Sequence, residues 1–315
     1  MSDELGIHYN ESTGKKYLII NSIDRNWNVS STTSTENPYK YRVVFGNNSF
    51  YGTDNKNLNI LINDTLEKVN SIQCKKIIIP NRELSSGFRA SNQPYLLVNI
   101  DNIEQIAEAS NNKIQNALSI MTPLIPIADL VLDTRYLEYK NTNGQKKQYG
   151  GGRIPYMDIR IQRSDGIEIN GDGTQNDILN IRQLVYDDSV KKINVNCADF
   201  FSDDDFKVGD IIKIRDYDFR ESSLNYYETA EFNSFINREQ GHIIQEIAKS
   251  GATEMYDIIK ILPDGKNSKT TGNYELETWF DDLVTKTNID SDLADDDSGK
   301  LINTNLQTTI FLEIN

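Results

Sequence analysis

Apolar and polar residues alternate along several short stretches, and that period of two predicts strands. Tyr17-Leu18-Ile19-Ile20 is an apolar run. Asn21 to Trp27 and a Ser/Thr-rich stretch ending at Asn37-Pro38 follow it, the punctuation of a strand feeding a long surface loop. Tyr39, Tyr41, Val43 and Phe45 then fall on one side and Lys40 and Arg42 on the other, a half-buried strand. Val69 to Ile79 reads as another strand, stopped by Pro80-Asn81, and Tyr95 to Ile100 follows a turn-rich loop. Three strand signals in about 60 residues, joined by irregular loops, predict a sandwich rather than alternating strand–helix units.

From Asn102 the period changes. Ile103, Ile106, Ala107, Ile114, Ala117, Leu118 and Met121 recur at three- and four-residue intervals, which predicts one amphipathic helix or two short ones, weakened by Asn111-Asn112. Thr122 to Leu132, with Pro123 and Pro126, reads as extended chain suited to an edge strand. Gly150-Gly151-Gly152 reads as a flexible loop tip, and Met157, Ile159 and Ile161 as a strand entering the hairpin turn Ser164-Asp165-Gly166.

Residues from about Ile178 to Pro263 read as a separate unit with the strand spacing of a small barrel: Lys192–Val195, Phe206–Ile214, His242–Ile247 and Tyr256–Leu262. In Phe206-Lys207-Val208-Gly209-Asp210 the glycine takes the bend and the flanking apolar residues are expected to face the core. Leu276, Trp279, Phe280, Leu283 and Val284 predict a helix, followed by the acidic stretch Asp290 to Asp297. The chain closes on the apolar run Thr308 to Ile314, which must be tied into a sheet, with its partners expected in the first half of the chain.

Composition narrows what such a protein does. At 315 residues the chain can bury one large core or two ordinary ones. Its 37% hydrophobic and 25% charged residues are globular, while a mean hydropathy of −0.55 points to long polar loops. With 33 Lys and Arg against 47 Asp and Glu the formal charge is −14, a field that repels phosphate backbones and anionic membranes. No run approaches the ~20 apolar residues of a membrane span, and the start of the chain lacks a secretory signal, so no membrane insertion is expected and the four sequons at Asn10, Asn28, Asn47 and Asn63 are read as unused. Cys74 and Cys197, the only cysteines, fit a reducing compartment such as the cytoplasm.

Candidate chemistry is sparse. His8 and His242 are the only histidines, and no serine sits in a nucleophile elbow. Cys74 lies among strand residues and reads as a core thiol. Two cysteines and two histidines at these spacings match no zinc pattern. Gly14-Lys15 and Gly299-Lys300 lack the upstream glycine of a phosphate loop, since Tyr9 and Ala294 stand there. Asp203-Asp204-Asp205 and Asp295-Asp296-Asp297 do not follow the twelve-residue calcium loop, and no spacing singles out a hydrolytic carboxylate pair. The reading is of a non-enzymatic protein with no catalytic, cofactor-binding or metal-ligating residue.

Three phrases in order carry a resemblance: Tyr17-Leu18-Ile19-Ile20-Asn21-Ser22-Ile23-Asp24-Arg25-Asn26-Trp27, then Asn37-Pro38-Tyr39-Lys40-Tyr41-Arg42-Val43-Val44-Phe45, then Val69-Asn70-Ser71-Ile72 through Ile77-Ile78-Ile79-Pro80-Asn81. Together with Pro94 to Ile100, Ile159-Arg160-Ile161 with its Asp165-Gly166 turn, and the closing Phe311-Leu312-Glu313-Ile314, they resemble the minor capsid and penton proteins of large icosahedral DNA viruses. The resemblance covers about half the chain. It implies a mainly β fold, a single jelly-roll sandwich with an inserted small β-barrel-like domain and a few short helices. The roughly 130 residues between the Asp165-Gly166 turn and the last strand fit an insertion on one jelly-roll loop. The implied division is a flexible N-terminal arm over 1–16, a jelly-roll domain over 17–170 and 301–315, and an insertion domain over 171–300.

The resemblance further implies a structural virion protein, assembled in the host cytoplasm and held in the capsid by contacts with itself, as a homopentamer, and with major and minor capsid proteins, without direct nucleic-acid binding. Arg25, Trp27, Tyr39 and Tyr41 are the expected contact residues, although Tyr39 and Tyr41 fit their own domain's core equally well. The alternative is a sugar- or receptor-binding module carried by the insertion. A third reading, a hydrolase using acidic-loop carboxylates, requires a cleft with a proton-sharing pair.

Overall fold

The computed structural model of the chain describes residues 8–10, 14–25, 37–46, 60–84, 87–103, 114, 117–124, 135–169, 177–187, 189–190, 192–218, 226–251, 255–262 and 299–315. Within them the chain is mainly β. It forms two compact units, Met1–Gln175 with Leu306–Asn315, and Asn176–Asn305. Ten strands belong to the first stretch: β1 (His8–Asn10), β2 (Lys15–Asn21), β3 (Lys40–Phe45), β4 (Ile60–Ile62), β5 (Leu66–Pro80), β6 (Leu96–Ile100), β7 (Ser119–Pro123), β8 (Tyr136–Lys140), β9 (Lys147–Ile154) and β10 (Tyr156–Gln162). The second unit holds β11 (Ile178–Asp187), β12 (Lys192–Phe201), β13 (Ile211–Arg215), helix α1 (Tyr226–Ile236), β14 (His242–Ile243), β15 (Glu246–Ala248), β16 (Tyr256–Ile261) and β17 (Lys300–Asn303). β18 (Thr309–Ile314) returns to the first.

In the first unit the strand order is β1-β2-β18-β5-β8-β7-β6-β10-β3-β4, with β9 paired to β5 off this path. All pairings are antiparallel except β3 with β4. The sheet curls so that side chains of its two halves share one core. Leu18, Ile20, Ile72, Ile77 and Leu312 come from the β2–β18–β5–β8 half, and Tyr41, Val43, Val98, Ile159 and Ile161 from the other. Alternation explains which residues enter. In β3, Tyr41, Val43 and Phe45 are buried while Lys40 and Arg42 are half-exposed, and β10 repeats the pattern with Met157, Ile159 and Ile161. β5 is long enough to pair with β9 through its first half and β8 through its second, and a bulge at Lys75 sets Phe311 opposite Lys76 but Leu312 opposite Cys74.

The closing strand β18 lies between β2 and β5, so the apolar end of the chain is tied on both sides to the first half. Three local expectations need correction. Met121 and Ser119 are buried in β7, so the end of the helical-looking pattern at 103–121 is strand; residues 104–113 lie outside the described residues. Pro123 ends β7, a strand with neighbours on both sides, and faces Tyr139 where the ladder stops; the rest of the expected edge strand, residues 125–132, lies outside the described residues. Gly150–Gly152 is not a loop tip. It lies inside β9, whose irregular register against β5 is accommodated by positive φ at Gly150 (77°) and Gly151 (83°).

In the second unit the order is β14-β13-β17-β11-β12-β16-β15. Its two edge strands are separated by only Ile244 and Gln245. Ile244 donates to Asp210 O and Gln245 to Lys260 O, so the single stretch 242–248 serves both edges of a curled sheet. The core gathers Leu179, Ile181, Val195, Phe206, Ile214, Ile259 and Leu301, capped by Phe232, Phe235 and Ile236 from α1. Phe206 faces this core, whereas Val208, on the other side of the bend, is 63% exposed, a correction to the expectation that both flanks point inward. The helix expected over Leu276–Val284 and the acidic stretch 290–297 lie outside the described residues.

Candidate functional site

Of the groups that sequence reading weighed as chemical, the two thiols, the His242 ring and Asp205 are buried within their own units. Burial pushes the Cys74 and Cys197 thiols well above their ordinary range, which keeps both protonated and unreactive. His242 is 1% exposed; its Nε2 lies 2.9 Å from Ile236 O and its ring packs edge-on to Phe235. Of the run Asp203–Asp205, Asp205 turns inward, accepting from Ser202 Oγ at 2.9 Å, while Asp204 pairs with Lys207 in solvent. Among the described residues no three His, Cys, Asp or Glu side chains group to hold a metal, and no helix is long and apolar enough to cross a membrane. The shallow cleft lined by Tyr39, Arg160 and Glu168 has no room to enclose even a water-sized group, so it is not a small-molecule site.

The contact residues expected from the resemblance are placed differently from one another. Tyr39 and Tyr41 are 2% exposed and belong to the core, the alternative weighed for them above. Arg25 is 1% exposed. Its Nε donates to Ser22 O at 2.7 Å and its Nη2 to Gln307 Oε1 at 3.3 Å. Trp27 lies outside the described residues. The Ser22-Ile23-Asp24-Arg25 phrase is thus a strut. Ser22 Oγ donates to Gln307 Oε1 (2.7 Å), Thr308 N donates to Ser22 Oγ (2.9 Å), Ser22 N donates to Thr308 O (2.9 Å), and Thr308 Oγ1 donates to Pro38 O. These bonds fix the entry of β18 against the exit of β2. The Asn37-Pro38 phrase is equally structural, with Asn37 Oδ1 accepting from Tyr39 N at 2.9 Å to shape the turn into β3.

What remains is the pair of outward sheet faces of the first unit, and they differ. On the β3–β10–β6 half, Lys40, Arg42 and Arg160 are matched by Asp101, Asp158 and Glu168. Arg42 meets Asp158 at 2.6 Å, Arg160 meets Glu168 at 3.2 Å and also Asp101, and Lys40 meets Glu168 at 3.4 Å. On the β2–β18–β5–β8 half, among the described residues, Lys15, Lys75, Lys76 and Lys140 pair with Glu313 and Glu138. Burial alone would raise the Glu313 pKa, but the hydrogen bonds and charges of Lys15 (3.0 Å) and Lys75 (3.5 Å) outweigh it and hold the carboxyl below its usual range. Glu138 is held low in the same way by Lys140 and Lys76.

Apolar groups lie among those lysines. Ile19 stands opposite Phe311, Phe311 opposite Lys76, and the Lys76 ammonium sits 4.5 Å above the Phe311 ring. Tyr17 (37% exposed) and Tyr136 (39%) lie on the two outer strands of the same face. Sequence reading missed this face because its lysines are spread over three strands, β2, β5 and β8, that the topology alone brings together. No protein-family model matches the chain, and no curated protein is significantly similar to it.

Proposed function

We propose that the chain is a structural virion protein, a penton or another minor capsid component of a large icosahedral DNA virus, that holds the shell by protein–protein contacts. The observation that carries this reading is the strand order. Leaving aside the peripheral β1 and β4 and the side-paired β9, the eight strands β2, β3, β5, β6, β7, β8, β10 and β18 run 1-8-3-6 in one half-sheet and 2-7-4-5 in the other. That order supports the reading, since it agrees with the two interlocked Greek keys expected of a single jelly roll, and the second unit falls between the seventh and eighth of these strands. The buried strut around Arg25 also gives the resemblance a physical content, since its opening phrase locks the first strand to the last.

A tile of this kind works by shape. Two sheet faces and two ends of loops offer flat surfaces to neighbours, and a rotation that closes a ring of identical copies uses two different patches on each. No catalytic group is required. Light scattering on the purified 35.9 kDa chain tests the reading. A mass five times that of the monomer, or assembly on adding partner capsid protein, supports it, and a chain that stays monomeric with and without such partners contradicts it.

A second reading, a sugar- or receptor-binding module in the inserted unit, has one observation in its favour. Phe200 is a 49% exposed ring on β12, flat apolar surface of the sort that sugars pack on, while its neighbour Phe201 faces the core. A glycan-array signal lost in Phe200→Ala is its expected signature.

A further inference from the structure

We propose that Asn143 is a site of spontaneous covalent modification, where the turn between β8 and β9 closes a succinimide ring, loses ammonia and is opened by water to aspartate and isoaspartate. The inference is independent of the reading of the chain as a tile. It starts from the sequence. Asn143 is followed by Gly144, and a residue without a side chain leaves its backbone nitrogen open to attack the preceding amide. Among the described residues no other asparagine precedes a glycine; the Asn170-Gly171 pair lies outside them.

The fold leaves both reacting groups unengaged. β8 pairs with Lys76–Pro80 and β9 with Leu66–Ile72 along the edge of β5 that faces away from β18, so residues 141–146 are an excursion from that edge. The base of the excursion is tied down. Asn141 N donates to Lys75 O at 3.1 Å, Asn141 Nδ2 donates to Cys74 O at 3.0 Å and to Gln145 O at 2.7 Å, and Gln145 N donates to Asn141 Oδ1 at 3.1 Å. Its tip, Thr142 to Gly144, is exposed. Neither the Asn143 side chain nor the Gly144 N–H makes a hydrogen bond among the described residues. Gly144 has φ +63° and nothing stands within 4 Å of where a Cβ would be, so the ring has room to close. The Asp165-Gly166 turn is the contrast. There Gly166 N donates to Arg163 O and Asp165 Oδ1 accepts from Ile167 N, each at 2.9 Å, so the groups that would react hold the turn instead.

The step needs water and no other co-reactant. Gly144 N gives its proton to solvent base and bonds to Asn143 Cγ, the bond from Cγ to Nδ2 breaks, and the nitrogen leaves as ammonia with a proton from solvent. Water then adds to one of the two ring carbonyls, and the choice of carbonyl decides between aspartate and isoaspartate. Either product replaces a neutral amide by a carboxylate. Lys140 precedes the turn and Lys146-Lys147 follow it, and their charge favours both the anion that builds on nitrogen and the carboxylate that remains. Thr142 Oγ1 meets Thr122 Oγ1 at 3.1 Å and Thr122 stands opposite Lys140, so the new charge arises at the border of the lysine-rich face.

The test incubates the full chain at neutral and mildly alkaline pH in water enriched in heavy oxygen, followed by tryptic digestion and fragmentation in the mass spectrometer. The expected result is a carboxyl at Asn143 carrying one solvent oxygen, formed faster at the higher pH and present as both isomers, while Asn141 in the same peptide keeps its amide. In Gly144→Ala the conversion is expected to slow at least about tenfold, with unchanged melting showing that the variant is folded. Should that variant melt lower, Asn143→Gln at the same exposed position serves instead; its longer side chain must close a larger ring, and the residue is expected to keep its amide. An Asn143 that keeps its amide, whether or not Asn170 is converted, overturns the proposal. So does conversion no faster than at Asn141, or as fast in the variant as in the wild type.

Discussion

Glu313 sits on the central strand with a side chain only 7% exposed, between two lysine ammonium groups. Because its folded pKa lies below the ordinary 4.5, its contribution to stability is fully present above that value and is lost as the pH falls through the lower, folded one. Glu138, Glu239 and Glu246 are shifted in the same direction by their lysines and add to the same acid limb. Thermal melts between neutral and acid pH are expected to show Tm falling below about pH 4.5, with a shallower fall in Glu313→Gln. Arg25 belongs to the same scale. Its removal strips charge-assisted bonds from a dry site, so Arg25→Ala is expected to cost about 2–3 kcal/mol in urea unfolding, and Lys, lacking the planar fork, is not expected to restore it. Gly241 has φ +71° and an added Cβ would stand 2.5 Å from Ile212 O, so Gly241→Ala is expected to destabilise the protein by about 1–3 kcal/mol.

Among elements, β18 carries the most. It is bonded on both sides, and Leu312 is 1% exposed within the shared core, so Leu312→Ala is expected to cost about 2–5 kcal/mol. The strands that sequence alone could read are those where one face is wet and one dry, β3 and β10 above all, because the pleat then writes itself into alternation. β7 was illegible for the opposite reason. Leu118 and Met121, three apart, fit a helix as well as they fit a strand with its neighbouring loop, and Pro123 argues for an edge that the surrounding strands β6 and β8 deny. β9 was hidden by glycines that supply no pattern. α1 has Phe232, Phe235 and Ile236 bunched in its last turns and no apolar stripe along its whole length to signal it. The lysine-rich face was less legible still. Lys15, the adjacent Lys75 and Lys76, and Lys140 lie on three strands separated in sequence, and the buried roles of Arg25, Tyr39 and Tyr41 depend on residues after 300 folding back.

For the whole molecule, the two units have separate cores and the second is joined to the first through ends that lie side by side, Asn303 N donating to Asp177 O at 2.9 Å. A fragment spanning 176–305 is therefore expected to fold alone with a single cooperative melt, read by circular dichroism; a fragment without a melting transition contradicts that independence. The central claim is that the sandwich is a repeated building block of an icosahedral shell, and a three-dimensional reconstruction of purified particles tests it most directly. The account predicts sandwich-shaped density matching the first unit at a fixed symmetric position, five copies around a vertex if the chain is the penton. Particles whose shell contains no density for this chain contradict it.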